Sequence, residues 1–249
     1  MGRLRYKIIL ITGAAGGIGS AIAEAVVRNG GLAVATDIAG RTGMDHVLDV
    51  TSESDWRRVM EAVGSAGRLD GLVNAAGIVA IGTVEDTDFA TWRRVMAINL
   101  DGTFLGCTAV MPHMIAEGTG AIVNIASIVS FMATPSALAY GVSKAGVEQL
   151  TRSLAIIGAA DGGRVRCNSV HPGVIRTRMT DSIIQSYAAN TGISEAEAEA
   201  GINSAVPFGV RGAPEDVAAM IAFLVNDDAA YVTGASFRVD GGWSVISAG

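Results

Sequence analysis

The sequence predicts a single α/β domain, a parallel sheet of about seven strands with helices on both faces, and three observations carry that expectation. Short β-branched apolar runs alternate along the chain with segments of helical apolar spacing, the pattern of repeated strand-helix units. Half of the 249 residues are hydrophobic and the mean hydropathy is +0.41, enough to bury a large core. The chain holds 32 glycines against 5 prolines, with no repeat, low-complexity tract or break in composition, so tight turns are plentiful and no linker divides residues 1–249.

In chain order, residues 8–11 form a fully apolar run of the kind found in a parallel strand covered on both faces. The turn Thr12-Gly13-Ala14-Ala15-Gly16-Gly17-Ile18-Gly19 follows at once, and Ile22, Ala23, Val26 and Val27 then recur at helical spacing until Asn29-Gly30-Gly31 ends the helix. Glycines there allow a tight turn and a close approach of backbone amides to a pyrophosphate, which the positive end of the helix favours. Residues 32–36 read as the second strand, ending in Asp37. That carboxylate, roughly 20 residues past the glycines, is placed to accept hydrogen bonds from an adenosine ribose and to repel a 2′-phosphate. Only eight residues separate it from a short strand at 46–48, so an irregular turn replaces the usual crossover helix.

A helix carrying Trp56, Val59, Met60 and Val63 is expected to run to Gly64 or Gly67, followed by a strand at 69–73 and the exit loop Asn74-Ala75-Ala76-Gly77. Residues 88–117 read as one long helix with Asn99 near its middle; asparagine is a mediocre interior residue, so it either faces solvent or serves a local purpose. A strand at 121–127 ends at Ser127. The helix expected at 137–157 is apolar on nearly all sides, which implies burial against the sheet and a second surface. Residues 164–170 form the next strand, stopped by His171-Pro172-Gly173. Residues 174–212 break the alternation and are expected to form a lid. Pro214-Glu215-Asp216 opens a last helix with proline in the first turn and acids at the positive end, and a short strand at 237–239 closes the sheet.

The stretch from Ser127 to Lys144 carries the chemistry. Tyr140 and Lys144 stand four apart and share one face of a helix. Of the eighteen cationic side chains only two, Lys7 and Lys144, are lysines, so the pairing is not a by-product of composition. A cation about 4 Å from the phenol at an effective dielectric near 20 favours the phenolate by about 4 kcal/mol, which would bring a group of ordinary pKa near 10 toward neutrality. A compact ammonium on a flexible stem also reaches a sugar hydroxyl.

The rest of the composition excludes other classes. A net charge of −6 with no basic cluster disfavours nucleic acid. Cys107 and Cys167 stand alone and His46, His113 and His171 are scattered, so no metal site is expected and a reduced, cytoplasmic protein is the simpler reading. Arg3, Arg5 and Lys7 before an apolar run imitate a signal peptide, but the glycines and Glu24 that follow suit a strand, turn and helix. Nowhere do eighteen apolar residues run together, so no membrane span is expected.

With these stretches placed, the chain resembles the short-chain dehydrogenase/reductase family along its whole length. Gly13, Gly17 and Gly19 match the family's Thr-Gly-x-x-x-Gly-x-Gly, and Asn74-Ala75-Ala76-Gly77 its Asn-Asn-Ala-Gly, with Ala75 in place of the second asparagine. The resemblance implies a Rossmann sheet, with Asn99, Ser127, Tyr140 and Lys144 as catalytic residues. It implies a dinucleotide held by Gly13, Gly17, Ile18, Gly19, Asp37, Ile38, Asp49, Val50, Asn74, Gly77, Tyr140, Lys144, Pro172, Gly173, Ile175 and Thr177. NAD would accept a hydride while Tyr140 takes the hydroxyl proton, Ser127 holds the substrate oxygen, Lys144 lowers the tyrosine pKa and Asn99 orders a relay water. Two alternatives stand beside it: an acyl-carrier-protein ketoreductase of the same family, and a dinucleotide-binding scaffold without turnover.

The expected substrate is a small, largely apolar secondary alcohol or its ketone, of cyclic or steroid-like shape, framed by residues 79–81, by Ile128 and Met132 after the serine, and by Met179, Ile183, Ile184 and Tyr187 on the lid. Arg176 and Arg178 flank Thr177 and are read as solvated or lid-pinning charges, the alternative being that they hold a substrate carboxylate. The family resemblance further implies a homotetramer built on the long helices around Asn99 and Tyr140.

Overall fold

Alternation along the first strand decides how the sheet is covered. The computed structural model describes residues 2–66 and 68–245. In it β1 (Ile8–Thr12) sends Ile9 and Ile11 to one face and Leu10 to the other, all three without solvent exposure. There follow α1 (Gly17–Arg28), β2 (Leu32–Asp37), β3 (His46–Val47), α2 (Glu53–Ala66) and β4 (Gly71–Asn74). Then come α3 (Phe89–Met96), a π-turn (Ala97–Asp101), α4 (Gly102–Ala116), β5 (Thr119–Ile125) and α5 (Leu138–Gly158). The chain continues through β6 (Arg164–Pro172), α6 (Arg178–Thr191), α7 (Glu195–Ser204), α8 (Pro214–Leu224) and β7 (Ser236–Val239).

The seven strands pair in parallel in the order β3-β2-β1-β4-β5-β6-β7. Strand order therefore reverses between β1 and β4, and the crevice beyond their carboxyl ends is where such a sheet receives a ligand. On one face Ile22, Ala25 and Val26 of α1 pack with Val217, Ala218, Ile221 and Leu224 of α8. On the other, α2, α4 and α5 bury Trp56, Val59, Val63, Cys107, Val110, Met114 and Leu154. Gly106 lets α4 approach α2, since a Cβ there would stand 2.9 Å from the Trp56 ring, and the Trp56 indole donates to the Val50 carbonyl at 3.0 Å.

Several expectations change at their edges. The fourth strand begins at Gly71, because the Asp70 carboxylate is taken by the Ile8 amide at 2.9 Å. As expected, no helix forms between β2 and β3; Gly40 and Gly43 turn the chain at positive φ, and the Asp45 carboxylate accepts from the Ala35 amide at 2.7 Å. Helix α2 ends at Ala66, and Gly67 lies outside the described residues. The long helix is not continuous, being widened into the π-turn around Asn99. Its full run, Phe89–Ala116, is long and apolar enough to cross a membrane by length and composition, but Val95, Val110, Met111 and Met114 are buried in this fold. Helix α5 packs on the sheet, but the second covering surface expected for it is not found among the described residues, where Val142, Ile156 and Ile157 remain exposed. The expected lid is a helical hairpin, α6 and α7, with a small core of Ile184, Ala188 and Ala198.

Where α5 ends against β6, a Cβ on Gly158 would stand 2.2 Å from the Val165 carbonyl oxygen, a backbone atom that cannot step aside. Gly158→Ala should cost about 1–3 kcal/mol through overpacking and lower the Tm by about 2–4 °C per kcal/mol, which thermal unfolding followed by circular dichroism will measure.

Candidate active site

Helix α5 presents Tyr140, Lys144 and Glu148 at intervals of four, a single stripe facing the end of β5. Lys144 is buried and donates to the Ile125 carbonyl at 2.7 Å, with its ammonium 5.8 Å from the Tyr140 ring centroid. Burial pushes that ammonium down to about 8. The expected depression of the phenol is not found in the free protein. Burial raises the Tyr140 pKa above its ordinary value and outweighs the Ser127 hydroxyl, which acts the other way. One lysine donor is already spent on a carbonyl and is not aimed at the phenol.

Ser127 follows β5 and opens a short 3₁₀ turn at Ile128–Ser130. Its carbonyl accepts from the Ser130 amide at 3.0 Å and from His171 Nδ1 at 2.9 Å, and its hydroxyl oxygen accepts weakly from the Val129 amide at 3.4 Å. Asn99 sits fully buried in the π-turn, a widening common at functional sites. Its carboxamide accepts from the Ile78 amide at 2.9 Å and donates to the Ile78 carbonyl at 2.9 Å and to Ser143 Oγ at 3.0 Å. Both amide donors are thus spent, and Oδ1 keeps one lone pair beyond the Ile78 amide. The Asn99 main-chain carbonyl takes the Thr103 hydroxyl at 2.8 Å and keeps a second lone pair. A Cβ on Gly77 would lie 3.3 Å from Asn99 Oδ1 and 3.5 Å from Lys144 Nζ, so residues 77–78 run between the two.

The glycine turn fits a dinucleotide. Gly13, at φ +65°, passes so close to the exit loop that a Cβ would stand 2.7 Å from Ala76 Cα. The Thr12 hydroxyl oxygen accepts from the Ala75 and Ala76 amides, both at 3.1 Å, which fastens the loop despite the alanine at 75. Helix α1 has no side-chain cap and no acid in its first turn, and among the described residues the amides of Gly17, Ile18 and Gly19 have no partner. A Cβ on Gly17 would fall 3.0 Å from Thr177 Cγ2, so glycine there keeps open the slot toward the start of α6, where Thr177 is the N-cap. Asp37 closes the other end, accepting from the Ala15 amide at 3.0 Å and the Ile38 amide at 2.8 Å.

The remaining predicted residues divide. Exposed Ile38 and Asp49 and buried Val50 border the open edge beyond β2 and β3, and the Asp49 carboxylate takes the Thr51 amide and hydroxyl. Asn74 points the wrong way for a ligand. Its carboxamide donates to Asn124 Oδ1 at 2.9 Å and reaches Cys107 Sγ at 3.5 Å inside the core, so only its backbone faces the crevice. Gly173 packs on Asp240, Pro172 ends β6, and buried Ile175 bridges to Gly212. Of the expected substrate wall, Ile128 and Ile184 turn into buried packing, whereas Met132, Met179, Ile183 and Tyr187 keep surface. Arg176 donates to the Arg211 carbonyl at 3.0 Å, and the buried Arg211 holds Asp181 at 2.8 Å and Glu199 at 2.6 Å; Arg178 is exposed.

Sequence reasoning missed Glu148 and His171, the latter read only as an ordinary structural histidine where a strand stops. Both are buried, with Glu148 Oε2 2.6 Å from His171 Nε2. Burial works to raise Glu148, but donors from Ser236, Arg152 and Ser169 and the histidine charge bring it below its usual range. Burial holds His171 below its ordinary value against the pull of the Ser127 carbonyl and Glu148. The available signal was position, since Glu148 lies one turn past Lys144 on the same face.

A doubly wound parallel sheet with an uncapped glycine turn at its reversal, and a serine, a phenol and an ammonium beside it, defines a dinucleotide-dependent oxidoreductase of the CH–OH group. The family model described as enoyl-(acyl carrier protein) reductase matches residues 13–244. The chain belongs to the short-chain dehydrogenase/reductase family. It is 37% identical to 2-(S)-hydroxypropyl-CoM dehydrogenase 3 of Xanthobacter autotrophicus, over 98% of this chain and 99% of that one. With 3-alpha-(or 20-beta)-hydroxysteroid dehydrogenase of Mycobacterium tuberculosis it shares 35% identity, over 97% and 90% of the two chains. The ligand-free aldohexose dehydrogenase of Thermoplasma acidophilum superposes with a TM-score of 0.88 at 32% identity, covering 99% of this chain and 97% of that one.

The environment of Tyr140 sets a spectroscopic expectation. In the protein without ligand, the phenolate absorbance lost on Tyr140→Phe should develop above the ordinary value of 10.0, because burial disfavours the charged form. An alkaline difference titration of the two proteins checks it.

Proposed function

We propose that the chain, as one domain with residues 174–212 as its lid, is an NAD-dependent dehydrogenase of largely apolar secondary alcohols, cytoplasmic and assembled as a homotetramer. The observation that carries the chemistry is the convergence of Ser127, Tyr140 and Lys144 beside the strapped loop at Gly77 and Ile78. The amides of Gly17, Ile18 and Gly19, with Gly13 behind them, would hold the pyrophosphate; Asp37 and Ile38 the adenosine ribose; Asp49 and Val50 the adenine edge. Lys144 would hold the second ribose, and Gly77, the Asn74 backbone, Pro172, Gly173, Ile175 and Thr177 would frame the nicotinamide. When bound, the nicotinamide supplies the hydride acceptor or donor.

The chain's own residues then handle the oxygen and its proton. Ser127, whose hydroxyl lies beside the Tyr140 phenol, holds the substrate oxygen. Tyr140, a protonated phenol in the free protein, gives its proton to that oxygen in the direction of ketone reduction and takes it back in oxidation. Lys144, brought near neutrality by burial, has two N–H donors beyond the Ile125 carbonyl with which to stabilise the phenolate. The Asn99 main-chain carbonyl, with its spare lone pair, is the acceptor for a relay water.

Asp37 supports NAD over NADP, because a carboxylate fixed by two amides at the end of β2 faces a 2′-phosphate with like charge. The surfaces left open by Met132, Met179, Ile183 and Tyr187 support an apolar substrate, as does the hydroxysteroid named for one relative. Phe104 and Ile115 on α4, with Val142, Ile156 and Ile157 on α5, leave apolar faces that support assembly.

Purified enzyme should turn over a panel of neutral cyclic secondary alcohols with a higher kcat/KM for NAD than for NADP, and Asp37→Ala should narrow that ratio; parity in the wild type contradicts the assignment. Tyr140→Phe should lose far more than the tenfold in kcat that corresponds to about 1.4 kcal/mol of barrier, while still binding NADH in a fluorescence titration.

A further inference from the structure

The polar stripe of α5 does not end at Lys144. One turn further on, Glu148 lies buried under the sheet, and its carboxylate is a junction of three elements, α5, β6 and β7. Oε1 accepts from Ser236 Oγ of β7 at 2.6 Å and from the Arg152 guanidinium, which reaches in from the surface; Oε2 meets Ser169 Oγ at 2.9 Å and His171 Nε2 at 2.6 Å, both on β6. The imidazole continues the line. Nδ1 lies 2.9 Å from the carbonyl oxygen of Ser127, and Phe131, with Arg238 stacked on it at 4.6 Å, covers the ring at a centroid distance of 4.5 Å. A carbonyl only accepts, so Nδ1 carries the proton of that bond. On the other side Nε2 and Oε2 stand 2.6 Å apart, and the Ser169 hydroxyl, 2.8 Å from Nε2, supports the same corner.

Helix α5 thus grips the segment after β5 twice. Lys144 holds the carbonyl of Ile125, and Glu148, acting through His171, holds the carbonyl of Ser127 two residues on. We infer that Glu148 and His171 are positioning residues for Ser127, fixing the direction of its hydroxyl relative to Tyr140 on the same helix; this rests on the role proposed above for Ser127. The carbonyl accepts from both His171 Nδ1 and the Ser130 amide, so the peptide plane beyond Ser127 cannot rotate without losing a buried hydrogen bond. A site held this way loses rate before it loses affinity, because a displaced serine still leaves the binding surfaces in place.

Two isosteres separate the ends of the ring. Asparagine puts an amide nitrogen where Nδ1 stood and keeps a donor for the Ser127 carbonyl; glutamine reaches instead toward Glu148 and gives that donor up. His171→Gln should lower kcat by about tenfold or more with KM for alcohol and NAD within about twofold, while His171→Asn stays within about threefold of wild type in kcat. In a Ser127→Ala background His171→Gln should add no further loss, since two residues acting through one group are not additive. The chain has three histidines, so ¹⁵N-histidine spectra of the full protein resolve them, and the resonance missing from His171→Asn should show a protonated Nδ1 in the wild type. Equal kcat in the two His171 variants, a further loss from His171→Gln in the alanine background, or an unprotonated Nδ1 would overturn the inference, and the last needs no variant to be active. Wild-type turnover by Ser127→Ala would instead sink the role of Ser127, with the Nδ1 result still reporting on the bond itself.

Discussion

A buried ammonium on a main-chain carbonyl holds the centre of this molecule together. Lys144 donates to Ile125 at the point where β5 gives way to the turn bearing Ser127, so the helix that carries the phenol and the strand that delivers the hydroxyl are tied at their closest approach. An ammonium is expensive to bury, which lowers its pKa to about 8, and a carbonyl dipole takes one of its donors. The same tie explains the phenol. A cation committed to the backbone does less for a neighbouring hydroxyl than one aimed at it, and desolvation prevails.

The loop across from this tie is fastened by a different device. Asn99 takes both the amide and the carbonyl of Ile78, two backbone groups that would otherwise be left unsatisfied at about 1–3 kcal/mol each in a buried setting. A regular helix would carry the following residues past this point in a tighter spiral, and the π-turn accommodates one more residue where the carboxamide must reach sideways. The widening is thus the local cost of strapping a loop to a helix, offset by two hydrogen bonds and a third to Ser143.

Much of this was legible in the residues. The β-branched runs gave the strands, Asn29-Gly30-Gly31 the end of the first helix, and the spacing of Tyr140 and Lys144 their shared face, because each depends on neighbours in sequence. What escaped depends on contacts made across the fold. Asn74 and Ile128 carry the right identities at the right places in the chain, yet their side chains turn into the core, a choice made by Asn124 and Cys107 for one and by packing for the other. Glu148 and His171 are 23 positions apart and become partners only when β6 is laid against α5, so no local pattern announces them. The sign of the Tyr140 shift was missed for a related reason: a spacing of four brings a cation near, but says nothing about how much water leaves with it.

The lateral ends of the sheet have a consequence for how copies of the chain can meet. On one flank stands a strand of two residues, His46–Val47, reached through a turn with two glycines at positive φ; on the other stands Ser236–Val239, four residues long and followed at once by a glycine pair also at positive φ. Strands so short offer few free amides and carbonyls in a row, and the bends beside them turn the chain out of the plane of pairing. Such borders disfavour growth of the sheet from one molecule into the next.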